Sequence, residues 1–94
     1  MRSRVSWEEL VKAAEQVKKD SWGRWAERHG DWGRDAVIYF AVRHGGLRVK
    51  EVAARVGMRY QAAVQAARRF EKMLSKDRQR GEMIAKLKRQ MSHI

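Results

Sequence analysis

The chain has 94 residues, enough for one small domain, residues 1–94, built around a single hydrophobic core. It contains no cysteine, which excludes disulfide bonds and thiolate metal sites, and its 22 Lys and Arg side chains outnumber 11 Asp and Glu. The longest apolar run, residues 36–42, is too short to span a membrane, and no apolar signal segment follows the basic start. We therefore expect a cytoplasmic protein.

The first predicted helix begins at Ser6. Ser6 followed by Glu9 fits a capping box, in which a hydroxyl and a carboxylate satisfy the free amides of a helix start. Apolar residues then recur at helical spacing to about Lys19, and they are Trp7, Leu10, Val11, Ala14 and Val17. This stripe predicts a helix that faces the core and has no chemical role.

The next segment is rich in tryptophan. Ser21 is placed to cap a short helix that ends at Gly30. The apolar side chains of this helix are Trp22, Trp25 and Ala26. Tryptophans can stack on the bases of single-stranded nucleic acid, but this spacing is more typical of the corner of a small core. We expect core packing here.

A buried helix is predicted to follow Asp31, which is placed to cap it. Residues 36–42 are rich in β-branched and aromatic side chains, as strands are. No other segment shows the alternation that a partner strand would need. A helix that is apolar on nearly all sides, crosses the middle of a bundle and ends at Gly45 and Gly46 fits the pattern better.

Residues 48–74 predict two helices that meet at a tight turn, the spacing of a helix-turn-helix. The apolar positions of the first helix are Val49, Val52, Ala53 and Val56. Gly57 can adopt positive φ and so ends this helix. In the second helix the predicted core face consists of Val64, Ala67, Phe70, Met73 and Leu74.

The opposite stripe of the second helix has amides first and cations later. It holds Gln61, Gln65, Arg68 and Lys72, with Arg69 beside it. Amides followed by cations suit base edges followed by phosphates, since a glutamine can pair with adenine and the Ala62 methyl can contact a thymine methyl. An ordinary helical hairpin with a solvated basic face would show the same spacing, so that alternative stays open.

The charge is unevenly distributed along the chain. Residues 1–35 carry 8 basic and 7 acidic side chains, whereas residues 36–94 carry 14 basic and 4 acidic ones. The excess of ten therefore lies on the part that contains the two-helix motif. A localised basic excess of this kind is typical of domains that bind a polyanion.

Both motif helices begin at an arginine, Arg48 and Arg59, where a short polar cap is usual and where a cation opposes the helix dipole. A phosphate at each helix start would resolve this conflict. The alternative is that the two starts are simply weak.

Asp77 is placed to cap a last helix. Its predicted inward side chains are Met83, Ile84, Leu87 and Met91, and its outward ones are Lys86, Lys88 and Arg89. A basic amphipathic helix could lie on a membrane surface, but its modest apolar face makes that the weaker interpretation.

The sequence favours no enzyme, metal or cofactor. His29, His44 and His93 are isolated, and His44 beside Gly45 is expected to contact the end carbonyls of its helix. Tyr39 lies inside the apolar helix and is expected in the core. Neither a phosphate-binding glycine loop with a lysine nor clustered carboxylates occur.

Several residues coincide with a known pattern. Gly57 matches the first glycine of the signature Gly-Gly-Arg-Asp-His-Thr-Thr-Val, and residues 59–64 fall on its last six positions. Arg34 matches a family arginine that approaches DNA from the side, and Glu51 and Val52 match the first motif helix. On these residues the chain, over about residues 5–92, resembles the C-terminal domain of the bacterial replication initiator DnaA. It resembles even more strongly the DnaA-like helical tail of REP-associated tyrosine transposases of the IS200-like group.

The resemblance implies an all-α fold and duplex DNA as the partner. At residues 60–63 this sequence has Tyr-Gln-Ala-Ala where the initiators have Asp-His-Thr-Thr, so their target sequence is not implied. The paired-histidine motif of the transposases has no counterpart either, because no His-x-His occurs.

The sequence thus predicts a small all-α bundle that binds duplex DNA sequence-selectively through a helix-turn-helix at about residues 48–74. Such a protein is expected to associate with the nucleoid, and neither a membrane nor a small-molecule substrate is expected as its partner. The predicted DNA contacts are Arg34, Arg48, Lys50, Arg59, Tyr60, Gln61, Ala62, Gln65, Arg68, Arg69 and Lys72. The alternatives are an interaction module for an acidic protein partner and charge-driven binding of RNA.

Overall fold

A computed structural model of the chain describes residues 4–28 and 30–92. These residues form six helices and no strand. The helices are α1 (Trp7–Lys18), α2 (Trp22–Trp25), α3 (Gly33–Arg43), α4 (Val49–Val56), α5 (Tyr60–Leu74) and α6 (Arg78–Gln90). The predicted all-α fold class is confirmed. The predictions for His29 and His93 lie outside the described residues.

Three helix starts use the predicted side chains. The Glu9 amide donates to Ser6 Oγ at 3.2 Å, and the Gln79 amide donates to Asp77 Oδ1 at 2.9 Å. Asp31 Oδ1 accepts from the amide of Gly33, the first residue of α3, at 2.7 Å, although the N-cap position itself is occupied by Trp32. These side chains satisfy amides that a helix leaves free at its first turn.

The α3 helix forms the centre of the bundle, where it packs against α1, α4, α5 and α6. Seven of its eleven residues are buried, and they are Gly33, Ala36, Val37, Ile38, Tyr39, Phe40 and Ala41. The strand alternative for this segment is wrong, because surrounding helices rather than paired strands cover its β-branched and aromatic side chains. The core position predicted for Tyr39 is confirmed.

The end of α3 depends on two glycines with different roles. Gly45 is buried, and a Cβ there would lie only 2.7 Å from Val5 Cγ2 and 2.8 Å from the Ala41 carbonyl oxygen. Its own carbonyl accepts from the Val5 amide at 3.0 Å. Gly46 has φ 75°, which favours glycine. The chain before α1 therefore passes close against the corner between α3 and α4.

The tryptophans pack at the corner formed by α1 and α2. Trp25 is fully buried and its indole N–H donates to the Asp20 carbonyl at 3.1 Å. Trp22 meets Trp25 and Trp7 edge to face, at centroid distances of 4.9 and 5.7 Å. The prediction of core packing is therefore confirmed for this segment.

The bounds and cap predicted for α2 were wrong. The helix ends at Trp25, well before Gly30. The Ser21 side chain caps nothing, since the carboxylate of Glu15 on α1 accepts from the Trp22 amide at 2.8 Å. A tertiary contact has replaced the local cap, which short-range sequence rules cannot foresee.

The buried face of α5 agrees with the predicted one only in part. Phe70 is buried and Ala67 and Leu74 pack against the core, as predicted, whereas Met73 is 38% exposed and the fully buried alanines are Ala63 and Ala66. The prediction gave most weight to large apolar side chains. In the structure Ala63, Ala66 and Phe70 form the buried seam of α5, because small side chains allow the helix to lie close against its neighbours.

The inward face of α6 is confirmed, since Met83, Ile84, Leu87 and Met91 are all buried. Lys86, Lys88 and Arg89 are exposed, as predicted. Among the described residues, none of the helices has the length and apolar character that crossing a membrane requires.

Candidate nucleic-acid interface

The turn between α4 and α5 consists of residues 57–59. Gly57 has φ 71° and ψ 32°, and the Met58 amide donates to the Ala53 carbonyl at 2.9 Å. A Cβ at Gly57 would meet no atom within 4 Å, so the positive φ alone accounts for glycine at this position. The two helices pack against each other directly after this turn.

The outer face of α5 carries the predicted side chains. Tyr60 is 53% exposed at the first position of the helix. The other exposed members are Gln61, Ala62, Gln65, Arg68, Arg69 and Lys72. Because the α-helix has 3.6 residues per turn, Gln61 and Gln65 lie one above the other on this face. The structure thus brings the amides together at the start of α5, with the cations one to three turns further along.

The two motif helices begin differently. At α4 the Arg48 amide donates to Glu51 Oε1 at 3.1 Å, and Arg4 forms an ion pair with the same carboxylate. The Arg48 amide and the Arg4 guanidinium together hold the pKa of Glu51 below its ordinary value. The Glu51 carboxylate therefore resolves within the chain the conflict predicted at the start of α4, and the Arg48 side chain stays exposed.

At α5 no side chain caps the helix start. Arg59 is extended, with φ −70° and ψ 153°, and the first turn contains no acidic residue. The positive end of the α5 dipole therefore lies beside an exposed cation without a carboxylate in that turn. This is the arrangement at which an anion binds most readily.

The remaining predicted DNA contacts lie at two places, the start of α4 and the surroundings of Asp35 at the start of α3. Arg48 and Lys50 are exposed at the first turn of α4, about 12 Å of helix from the turn that leads into α5. Arg69 leaves the outer face of α5, since its Nε and Nη2 donate to Asp35 on α3 at 3.3 and 3.0 Å. Arg34 lies half-buried beside Asp35 in the first turn of α3.

The His44 ring does not behave as predicted. It packs against Tyr39 and Phe40, with centroid distances of 5.8 and 5.2 Å, rather than against the last carbonyls of α3. Partial burial, followed by the nearby charges of Lys88 and Arg43, lowers its pKa from the ordinary value near 6.5. The neutral ring is therefore favoured in the folded protein.

Sequence reasoning missed a group of residues around the loop that leads into α3. Lys18 donates to both carboxylate oxygens of Asp31 at 3.0 Å, and its ammonium lies 5.3 Å from the Trp25 ring centroid. The Arg80 guanidinium lies 5.0 Å from the centroid of Trp32 and pairs with Asp77. The only sign of this group in the local sequence was the spacing of Asp77 and Arg80, since residues three apart at a helix start can form an ion pair.

Metal-binding side chains do not gather in groups of three or more within the described part of the chain. Comparisons of the chain with protein-family models, with curated proteins and with solved structures returned no match. The resemblance to the DnaA C-terminal domain and to the transposase tails therefore stays a prediction from the residues that carry it.

Proposed function

We propose that the chain binds duplex DNA sequence-selectively, with α4, the turn at residues 57–59 and α5 acting as a helix-turn-helix. The observation that carries this proposal is the division of α5 into two faces. Its inner face is fixed to the core through Ala63, Ala66 and Phe70, and its outer face presents amides followed by cations. A rigid helix with such an outer face has the chemistry for the major groove.

In this docking mode the first half of α5 lies against base edges and the later positions approach the backbone. Gln61 and Gln65 each pair with an adenine, and the Ala62 methyl contacts a thymine methyl. The preferred site therefore has A·T pairs at one or two positions. Tyr60, exposed at the head of the helix, lies beside the sugar-phosphate backbone at the same place.

Phosphate contacts come from both motif helices. Arg59 and the uncapped start of α5 hold one phosphate, and Arg68 and Lys72 reach the backbone further along. Arg48 and Lys50 add contacts at the start of α4. The resemblance to DnaA-like tails supports the same mode of binding, and the sequence at residues 60–63 gives this chain a different target from that of the initiators.

Selection of preferred sites from a random duplex pool at physiological salt tests the proposal. We expect one enriched motif that contains A·T pairs and that the chain binds more tightly than random duplex. Equal binding of all duplexes would contradict the proposal of sequence-selective binding. Preference for structured RNA over the selected duplex, or for an acidic protein at the same salt, would favour one of the two alternatives.

The two glutamines provide the control within the same experiment. Selection with a variant that carries both Gln61→Ala and Gln65→Ala should no longer enrich the A·T positions, whereas Gln16→Ala, on the exposed face of α1, should enrich the original motif. An unchanged motif in the double variant would show that α5 is not the reading helix.

A further inference from the structure

A cleft of about 450 Å³ opens beside the first turn of α3, between the preceding loop, α5 and the start of α6. Four arginines line it, from four different parts of the chain, and they are Arg28, Arg34, Arg69 and Arg80. Trp32 and Phe70 provide its apolar wall. None of the contacts proposed for the outer face of α5 requires this cleft.

The charges of the cleft do not cancel. Its lining has four arginines against three carboxylates, those of Glu27, Asp31 and Asp35. Asp35 is paired with Arg69 at 3.0 Å, and Asp31 is paired with Lys18 at 3.0 Å. Glu27 is exposed. The lining therefore carries an excess of one positive charge.

Arg34 is the arginine whose charge is not matched. Arg80 pairs with Asp77, and Arg28 lies 3.6 Å from Asp31. Arg34 has no carboxylate within 4.0 Å among residues 4–28 and 30–92. A half-buried guanidinium without a counter-charge is unfavourable, because burial removes water without supplying an acceptor.

Two guanidinium nitrogens of the cleft arginines lack acceptors. Arg34 Nε and Arg80 Nε are buried, and neither has a hydrogen-bond partner in the described part of the chain. Buried donors of this kind are rare in folded proteins, and they commonly mark the place of a bound ion or water. Here two of them belong to neighbouring cations in one open cleft.

We propose that this cleft binds a phosphate group, with Arg34 as the principal ligand and Arg80 and Arg28 as further ligands. A phosphate supplies several acceptor oxygens and negative charge, and planar guanidinium groups bind it through paired hydrogen bonds. The phosphate is either free or monoesterified, or it belongs to the backbone of a duplex held by α5. A backbone phosphate at Arg34 rests on the proposed function, because it requires a duplex bound by α5. A free or monoesterified phosphate does not require DNA.

Titration of the whole chain with inorganic phosphate tests the proposal, observed by NMR at the arginine Nε–H groups. Sodium chloride at equal ionic strength is the reference. We expect saturable shifts at Arg34 and Arg80 that chloride does not produce. Non-saturating shifts, or shifts equal to those in chloride, would overturn the proposal.

Two variants locate the site. Arg34→Gln should weaken phosphate binding about tenfold or more, since it removes a charged hydrogen-bond donor. Arg24→Gln removes an exposed arginine of α2 outside the cleft and should leave the affinity unchanged. Equal phosphate affinity in both variants would overturn the proposal, and the wild-type titration keeps it testable if Arg34→Gln does not fold.

The source of the phosphate is identified by adding saturating duplex DNA to the same titration. If the duplex backbone occupies the cleft, inorganic phosphate will no longer shift Arg34 and Arg80. If the shifts persist, the site takes a free or monoesterified phosphate. Phosphate binding without duplex selectivity would contradict the proposed DNA binding but not the cleft proposal. Duplex selectivity without phosphate binding would contradict the cleft proposal but not the proposed DNA binding.

Discussion

The helices α3 and α5 pack against each other but use their side chains in opposite ways. Seven of eleven residues are buried in α3, and only three of fifteen in α5. The α3 helix has large apolar side chains on every side and is surrounded by helices. The α5 helix buries Ala63, Ala66 and Phe70, packs Ala67 and Leu74 partly against the core, and leaves its outer face to solvent. A helix that is held by a narrow buried seam therefore keeps a broad face exposed to solvent, where a partner can reach it.

Alanine suits such a seam for two reasons. It has the highest helix propensity, so α5 does not depend on a wide apolar face to remain helical. Its small side chain also brings the two helix backbones close together. Phe70 is the largest of the fully buried side chains of α5, and its ring centroid lies 5.2 Å from that of Tyr39 on α3.

The largest effect is expected where the two helices meet. Phe70→Ala should lower the free energy of unfolding by about 3–5 kcal/mol, because it removes buried apolar surface and leaves a cavity. A chain of this size has a total of only about 5–14 kcal/mol. Urea denaturation followed by circular dichroism measures the change.

Met73 provides the matched control on the same helix. It is 38% exposed, so Met73→Ala should change the free energy of unfolding by less than about 0.5 kcal/mol. Similar losses in both variants would mean that the alanine and phenylalanine seam does not hold α5, and the contrast with α3 would fail.

A smaller effect is expected on the free face of α5. Gln61→Ala should weaken binding to the preferred duplex by about 1–3 kcal/mol and relax selectivity at one position, since it removes a bidentate contact to a base. Titration of labelled duplexes measures this. Unfolding should be almost unchanged, because Gln61 is exposed. Equal weakening on preferred and random duplexes would instead indicate a backbone contact.

The cations of α4, of the turn and of α5 are predicted to act on salt dependence. If four to six phosphates are neutralised, log affinity should fall with log salt at a slope of about −4 to −5. Arg68→Ala should make this slope shallower by about one unit for all duplexes alike. A slope near zero would mean that phosphates are not bound.

The smallest effect concerns the end of α3. His44 has a lowered pKa in the folded chain, so the unfolded chain binds the proton more readily. Stability should therefore be fully present above about pH 6.5 and decline as the pH falls through the lowered value. His44→Gln should flatten this decline in urea midpoints measured between about pH 5 and 7. An unchanged profile would assign the decline to other groups.

Features that depend on neighbouring residues in the chain could be predicted from the sequence. Ser6 and Asp77 cap helices because a side chain and a nearby amide are linked by a few bonds. The inward face of α6 follows from helical periodicity, because its apolar side chains are large and few. The exposed stripe of α5 follows from the same periodicity.

Features that depend on distant parts of the chain could not be predicted. Glu15 replaces the Ser21 cap at α2 across seven residues, and Glu51 is held by Arg4 across forty-seven. The arginine cleft needs four segments to be brought together. The α5 seam was misjudged because periodicity weighs the size of side chains, whereas packing against α3 selected the small ones.

The alanine seam also fixes the rotation of α5 about its own axis. Each residue advances an α-helix by about 100°, so a slip by one position would turn Val64 and Ala67, or Ala62 and Gln65, toward the core in place of Ala63 and Ala66. The buried spaces at Ala63 and Ala66 are filled by single methyl groups, and larger side chains do not fit there without moving a helix. The seam therefore sets the rotational angle of α5 at which Gln61 and Gln65 point away from the bundle.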